Sequence, residues 1–339
     1  MPMLPQAQPP QRSPRFVQVY REDQATLRRE LTQGLLDPGQ AHCSPKFLYD
    51  ALGSRLFEAI TELPEYYPTR TEAAVFQAHA QDMAQVLPTG ATLFDLGAGN
   101  CNKAASLFGR FEPARYVAID ISVQFLQGAL ECLQRQHPQL EMWGLGVDFS
   151  SGVQLPPSIE EAASAQRLWF YPGSSIGNFT PDAALGFLRS VHAACGPLHG
   201  SGLLIGVDLV KDRDTLEAAY DDALGVTAAF NLNLLLHLNR LLHADFQLRD
   251  WRHRAHYDTV RQRIEMHLEA RHRLTVSWLD EQGQRRERVF QAGQTLHTEN
   301  SCKWTLEGFT ALLQRAGFTG LRHWADPHQA FAVFWAQAR

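Results

Sequence analysis

The chain has 339 residues, 45% of them apolar and 20% charged, enough to bury a large core in two lobes or in one domain with an insertion. Its net charge of −5 gives no basic footprint, which argues against a nucleic-acid partner. Five cysteines (Cys43, Cys101, Cys132, Cys195, Cys302) lie far apart without a CxxC pair, as in a cytoplasmic protein with reduced thiols and no disulfide frame or zinc site.

The first 15 residues, MPMLPQAQPPQRSPR, are rich in Pro and Gln and read as a disordered tail, neither a signal peptide nor a membrane span. Residues 16–36 fit a short strand and a helix. Within 44–62, Phe47, Leu48, Leu52, Leu56, Phe57 and Ile60 recur at helical spacing. Pro64 and Pro68 break that pattern, and a further helix is expected from about Arg70 to Leu87, capped by Thr71. From Thr92 strands and helices alternate. Strands at 92–95, 116–119, 142–147, 167–171 and 203–208, with helices at 103–109, 122–137, 181–194 and 214–222, predict a parallel sheet with right-handed crossovers. Helical spacing continues over 214–243. Ile264, Met266 and Leu268, then Leu274, Val276 and Trp278, alternate as an antiparallel hairpin pair, and 281–292 adds a turn and more strand. This block leaves the βα rhythm and reads as an inserted lobe. A helix from Leu306 to Ala316 and strands at 319–324 and 330–336 close the sheet. The expected fold class is α/β, a Rossmann-like sheet domain (71–210 plus 303–339) with a second, smaller α+β lobe (16–70 plus 211–302).

Ligands of such sheets sit beyond the C-terminal strand ends. The candidate tips are Asp95–Gly99, Asp120, Asp148-Phe149, Tyr171–Asn178 and Asp208. In FDLGAGNCNK (94–103), Gly97 lets the backbone approach a ligand, and Asp120 at the next strand tip suits the two hydroxyls of a ribose. Asn102 stands where a dinucleotide fingerprint has its third glycine, and no GxxxxGK[ST] loop is present. A ribose site with little phosphate provision suits S-adenosylmethionine (SAM). A nicotinamide or flavin nucleotide, or a packing turn without a ligand, are the other readings.

The remaining candidates each have a bland alternative. Lys103 suits the carboxylate of a bound amino-acid moiety, or is a solvated first-turn lysine. Asp148 and Phe149 suit an adenine amino group and its ring face, or a helix cap and a core aromatic. Asn178 suits a substrate amine, or caps the helix after Thr180. Glu299 and Ser301 share one face of a strand and suit a two-nitrogen ring, or form a solvent edge. Among fourteen histidines, the pairs His253/His256 and His267/His272 lack a carboxylate or third ligand at metal spacing, so no metal is expected.

Taken together, SPKFLYDALGSRLFEAITELPEYYPTRTE (44–72), FDLGAGNCNK (94–103), FYPGSSIGNF (170–179), VDLVKDRDTLEAAYDDALGVTAAFNLNLL (207–235), IEMHL (264–268) and HTENSCKW (297–304) are specific. From about residue 44 onward the chain resembles the SAM-dependent L-histidine Nα-methyltransferases of ergothioneine biosynthesis; the first 40 residues match no string of that family. The resemblance implies a SAM-dependent methyltransferase sheet, with SAM donating three methyl groups in turn to the α-amine of L-histidine and its mono- and dimethyl forms. The product is N,N,N-trimethylhistidine (hercynine). It places Gly97, Lys103, Asp120, Asp148 and Phe149 at SAM, with Tyr66 between SAM and substrate. Asn178 matches the residue that holds the amine and, with Tyr49, is assigned to catalysis. Tyr220 matches the carboxylate ligand, Met266 a wall of the side-chain pocket, and Glu299 and Ser301 the pair that reads the imidazole. Related enzymes act on tryptophan. A buried carboxylate facing a non-basic ring goes unpaired, so Glu299 with Met266 favours histidine. The alternatives are another amino acid or aromatic amine as acceptor, or a SAM-sensing module without turnover. A cytoplasmic monomer without a membrane or nucleic-acid partner is expected.

Overall fold

The computed structural model describes residues 12–19, 23–121, 123–149, 152–162 and 166–339. Its strands are β1 (Arg15–Gln18), β2 (Thr92–Leu96), β3 (Arg115–Asp120), β4 (Glu141–Gly146), β5 (Arg167–Tyr171), β6 (Gly202–Asp208), β7 (Trp251–Asp258), β8 (Arg263–Ala270), β9 (Leu274–Leu279), β10 (Arg285–Phe290), β11 (Thr295–Cys302), β12 (Thr319–Ala325) and β13 (Phe331–Gln337). The largest sheet has the order β1-β4-β3-β2-β5-β6-β13-β12. Its pairs are parallel from β1 to β6, and β13 inserts antiparallel between β6 and β12. β2 and β6 are buried along their whole length, as strands covered on both faces must be. From β2 the chain runs outward to β3 and β4, then returns to β5 and β6 on the other side. The switch point between β2 and β5 opens a crevice at their C-terminal ends. Phe94 and Trp169 stack across these two strands at 4.4 Å and anchor the core beneath that crevice.

The second lobe packs helices Gln24–Leu36, Ala51–Thr61 and Val226–Leu242 against two small sheets around one apolar cluster. In the three-stranded sheet β8 lies between β7 and β11, while β9 pairs with β10. The strands expected as one hairpin, β8 and β9, therefore belong to different sheets. β7 escaped the sequence reading because WRHRAHYD is mostly polar.

Other boundaries differ for local reasons. Pro68 falls in the first turn of helix Tyr67–Ala84, where a missing N–H costs nothing, so the helix starts before Arg70 and Thr71 is not its cap. The helical run expected over 214–243 is interrupted between helices Arg213–Ala218 and Val226–Leu242. There Gly225 takes φ +75°, and the Asp222 carboxylate accepts from Val226 and Thr227 N–H as a new cap. β1, expected in the smaller lobe, pairs with β4 at the edge of the large sheet. Of the expected tail, residues 1–11 lie outside the described residues. Arg12 is already docked, its N–H on the Pro138 carbonyl at 3.1 Å. No helix among the described residues is long and apolar enough to cross a membrane.

The lobes meet where the loop after β5 lies against β11. A Cβ on Gly177 would stand 2.9 Å from the Cys302 carbonyl oxygen and 3.2 Å from its nitrogen, both backbone atoms. Gly177→Ala is expected to push β11 off this loop, costing about 1–3 kcal/mol and lowering activity. Thermal melts and steady-state rates measure both, and an unchanged melting temperature contradicts this account of the seam.

Candidate active site

The crevice is built from strand tips. Gly97 and Gly99 have φ +71° and +53°, and the Gly97 and Ala98 N–H groups bond to the Ile119 carbonyl, folding the turn back on β3. Gly99 N–H donates to Asp120 Oδ2 at 2.9 Å, which fixes that carboxylate at the tip of β3. Phe149 follows β4 and lies beside the glycine turn, its ring tip 3.8 Å from where a Gly97 Cβ would be. Asp148 takes Lys46 Nζ at 3.3 Å. Lys103 Nζ donates to Glu72 Oε2 at 2.7 Å, and Glu72 Oε1 accepts from Gly173 N–H at 2.7 Å. Buried Glu72 thus ties the lysine to the loop after β5.

Beside this crevice lies a cleft. Tyr49, Tyr66, Asn178, Tyr220, Met266, Glu299 and Ser301, the residues expected at the substrate, all line it. They come from six separate segments. A β-bulge lies between His297 and Glu299, after which β11 runs in regular register. Glu299 and Ser301 therefore face the cleft together, as alternation requires. Phe57 and Phe230, not expected at the site, complete an aromatic wall: Tyr49 meets both edge-on at 5.6 and 5.5 Å, and Tyr66 meets Tyr220 at 6.2 Å.

Behind the cleft runs a buried polar network that the sequence did not reveal. Lys303 Nζ donates to Asp208 Oδ2 at 2.7 Å, Ser301 Oγ at 2.7 Å and Tyr220 OH at 3.1 Å. Tyr220 OH donates to Ser301 Oγ at 2.7 Å. Asp208 also accepts from Tyr67 OH and from Lys211 Nζ at 2.6 Å. Burial acts to raise the Asp208 carboxyl, but Lys303 and Lys211 outweigh it and hold it below the usual carboxylate range. Asp208 was legible only as a strand tip, and Lys303 only as part of a string.

On the outer face of the small sheet His256, Glu265 and His267 bring their ligand atoms within 4.8 Å of one another. The sequence offered no carboxylate to these histidines, and cross-strand register supplies one. The two rings stack at 5.3 Å and 17°, and Arg263 donates to Glu265.

Comparison with known proteins adds the lineage. The family described as histidine-specific, SAM-dependent methyltransferases matches residues 27–338. The chain belongs to this family. It is 38% identical over 314 residues to a Mycolicibacterium smegmatis protein named histidine N-alpha-methyltransferase, covering 91% of this chain and 93% of that protein. A Mycobacterium tuberculosis protein of the same name is 37% identical over 313 residues, covering 91% and 93%. A Neurospora crassa protein named ergothioneine biosynthesis protein 1 is 34% identical over 213 residues, covering 60% of this chain and 24% of that protein.

SAM is the methyl donor of this methyltransferase, and the crevice fits it. The glycine turn carries positive φ, a carboxylate stands at the tip of β3, an aromatic ring lies beside the turn, and a lysine sits by the loop after β5. Glu72, which the sequence did not single out, is set by the fold between Lys103 and Gly173.

Burial pushes the Glu299 carboxyl up to about 7, with Lys303 pulling the other way. No described residue donates a hydrogen bond to it. A carboxyl raised on folding holds its proton more tightly in the folded chain. Its favourable contribution is full below about pH 4.5 and is lost as pH rises through about 7. Without substrate, the parent chain should lose up to about 3 kcal/mol relative to Glu299→Gln over that window. Denaturant unfolding of both proteins at pH 4.5 and 8 measures this, and a constant difference contradicts it.

Proposed function

We propose that this methyltransferase converts L-histidine to N,N,N-trimethylhistidine by three successive methyl transfers from SAM to the α-amine. The observation that carries the reading is the meeting of Glu299 and Ser301 with Asn178 in one aromatic-walled cleft beside the SAM crevice. A buried carboxylate without a donor and a neighbouring hydroxyl match the N–H and the bare nitrogen of an imidazole. An indole has no second ring nitrogen and leaves one of them unpaired. The names of the two mycobacterial relatives support histidine as acceptor, and that of the fungal relative supports a place in ergothioneine synthesis.

SAM, when bound, supplies an electrophilic methyl group. The chain's task is to hold a neutral amine in line with it, and orientation of this kind is worth about 7–11 kcal/mol in favourable cases. In the first two transfers Asn178 accepts an amine N–H and leaves the lone pair toward the methyl. Tyr49 orients the nitrogen from the opposite lobe. Burial and the Glu299 charge hold the Tyr49 phenol well above its ordinary pKa, so it acts as a hydrogen-bonding group and not as a phenolate base. Before each attack the ammonium form of the nitrogen loses one proton to free its lone pair; the trimethylated product has none left. Tyr49, Phe57, Tyr66, Tyr220 and Phe230 present rings that attract a methylated, cationic nitrogen, which supports carrying the reaction to completion.

Mass spectrometry of the protein incubated with SAM and histidine, tryptophan or tyrosine tests the reading. Histidine gaining three methyl groups is expected. Methylation of tryptophan alone, or SAM binding without any product, would overturn it. Asn178→Ala should lower kcat/KM for histidine about 100-fold, and unchanged kinetics would remove Asn178 from the amine. Glu299→Ala should raise the histidine KM about 10- to 100-fold while leaving SAM affinity within about twofold. Equal loss for both ligands would signal misfolding, not lost recognition.

A further inference from the structure

The proton balance behind the cleft decides how the ring is read. Lys303 is fully buried and carries three N–H donors and no acceptor. Its Nζ contacts three side-chain oxygens: Asp208 Oδ2, Ser301 Oγ and Tyr220 OH. All three protons are thereby used. Asp208 cannot swing away, because Tyr67, Lys211 and the bond from its own N–H to Ser174 Oγ hold it. Each hydroxyl of Tyr220 and Ser301 thus has an acceptor position filled from behind by the lysine. The one bond between them, at 2.7 Å, uses a single hydroxyl proton. Whichever oxygen donates it, one O–H is left to point into the cleft. A ligand that breaks this bond frees both.

We infer that Lys303 is a positioning residue that sets Ser301 as a hydrogen-bond donor, so that the cleft accepts only a neutral ring with one N–H for Glu299 and one bare nitrogen for Ser301. This rests on histidine as the acceptor. The inference has two physical parts. With a lone pair of Ser301 Oγ taken by Lys303, the hydroxyl meets the ring with its proton. A cation 2.7 Å behind Ser301 also repels a ring charged at that nitrogen. Without the lysine, Ser301 is free to turn and accept, and a doubly protonated imidazolium between Glu299 and Ser301 becomes equally satisfiable. The same arrangement turns Tyr220 into a donor toward the substrate carboxylate. Lys303 touches neither ligand in this scheme; it acts through the two hydroxyls.

The first test uses the unaltered protein. Ring-labelled [15N2]histidine bound with S-adenosylhomocysteine is examined by 15N NMR at pH 7. One pyrrole-type and one pyridine-type nitrogen are expected. Two protonated nitrogens would overturn the inference while leaving histidine as the substrate. Failure of histidine to bind would overturn the substrate reading and this one with it. The second test compares histidine with pyrrol-2-ylalanine and pyrrol-3-ylalanine, which keep one N–H and replace the bare nitrogen by C–H. The unaltered enzyme should prefer histidine by at least about 100-fold in kcat/KM. Lys303→Met should shrink that preference to within about tenfold, as should Ser301→Ala, and the double variant should lose little more. A general loss of activity in Lys303→Met with the preference intact would reduce Lys303 to a structural role and overturn the proposal. If Lys303→Met does not fold, the NMR result on the unaltered enzyme decides alone.

Discussion

The contact between Asp208 and Lys303 is the one on which both lobes depend. Asp208 ends β6, at the C-terminal edge of the large sheet, and Lys303 directly follows β11 of the smaller sheet. Two charges removed from water cost several kcal/mol each unless every remaining hydrogen-bonding position is met. Here they are met by Tyr67, Lys211, Ser301 and Tyr220, drawn from helix Tyr67–Ala84, the chain after β6, β11 and the segment between two helices. Any relative movement of the lobes breaks several of these bonds at once. A buried ion pair is weak evidence for stability, since apolar residues often serve as well. Its value here is geometric, because it fixes the strand that carries Glu299 and Ser301 against the loop that carries Asn178.

The seam beside this pair is equally demanding. Gly177 leaves no room for a side chain between the loop after β5 and the backbone of Cys302. Glu72 spans from helix Tyr67–Ala84 to Gly173 and Lys103, so the glycine-turn crevice and the cleft share one loop. A single short segment, 173–178, therefore meets Glu72 through the Gly173 N–H and lines the cleft with Asn178. Glu299 is the one carboxylate of the cleft with no described donor, and burial pushes it up to about 7.

Much of the architecture was legible because its signals are local. The βα alternation from Thr92 and the strands at 167–171 and 203–208 follow from apolar runs of strand length between helical periods. The glycine turn and Asp120 were legible because close backbone approach and a strand-tip acid each demand a residue type. Strand alternation alone placed Glu299 and Ser301 on one face, and the structure has them both in the cleft. Failures came where partners are distant. β7 is polar and holds its place by pairing with β8, and β9 found β10 in place of β8. The break at Gly225 depends on a cap from Asp222 that periodicity does not register.

The sequence by itself determined the sheet domain, the nucleotide-type turn and, through its long strings, the family. These are encoded in residues adjacent along the chain, or in patterns of period 2 and 3.6. The tertiary structure decided which buried groups meet: that Lys303 uses its three protons on Asp208, Ser301 and Tyr220, that Glu72 holds Lys103, and that Phe57 and Phe230 wall the cleft. Lys303 with Ser301 apart, such contacts join residues at least 31 positions apart in the chain, and no propensity or spacing rule reaches that far. They exist because an unpaired buried donor or acceptor is costly, so most find a partner in three dimensions.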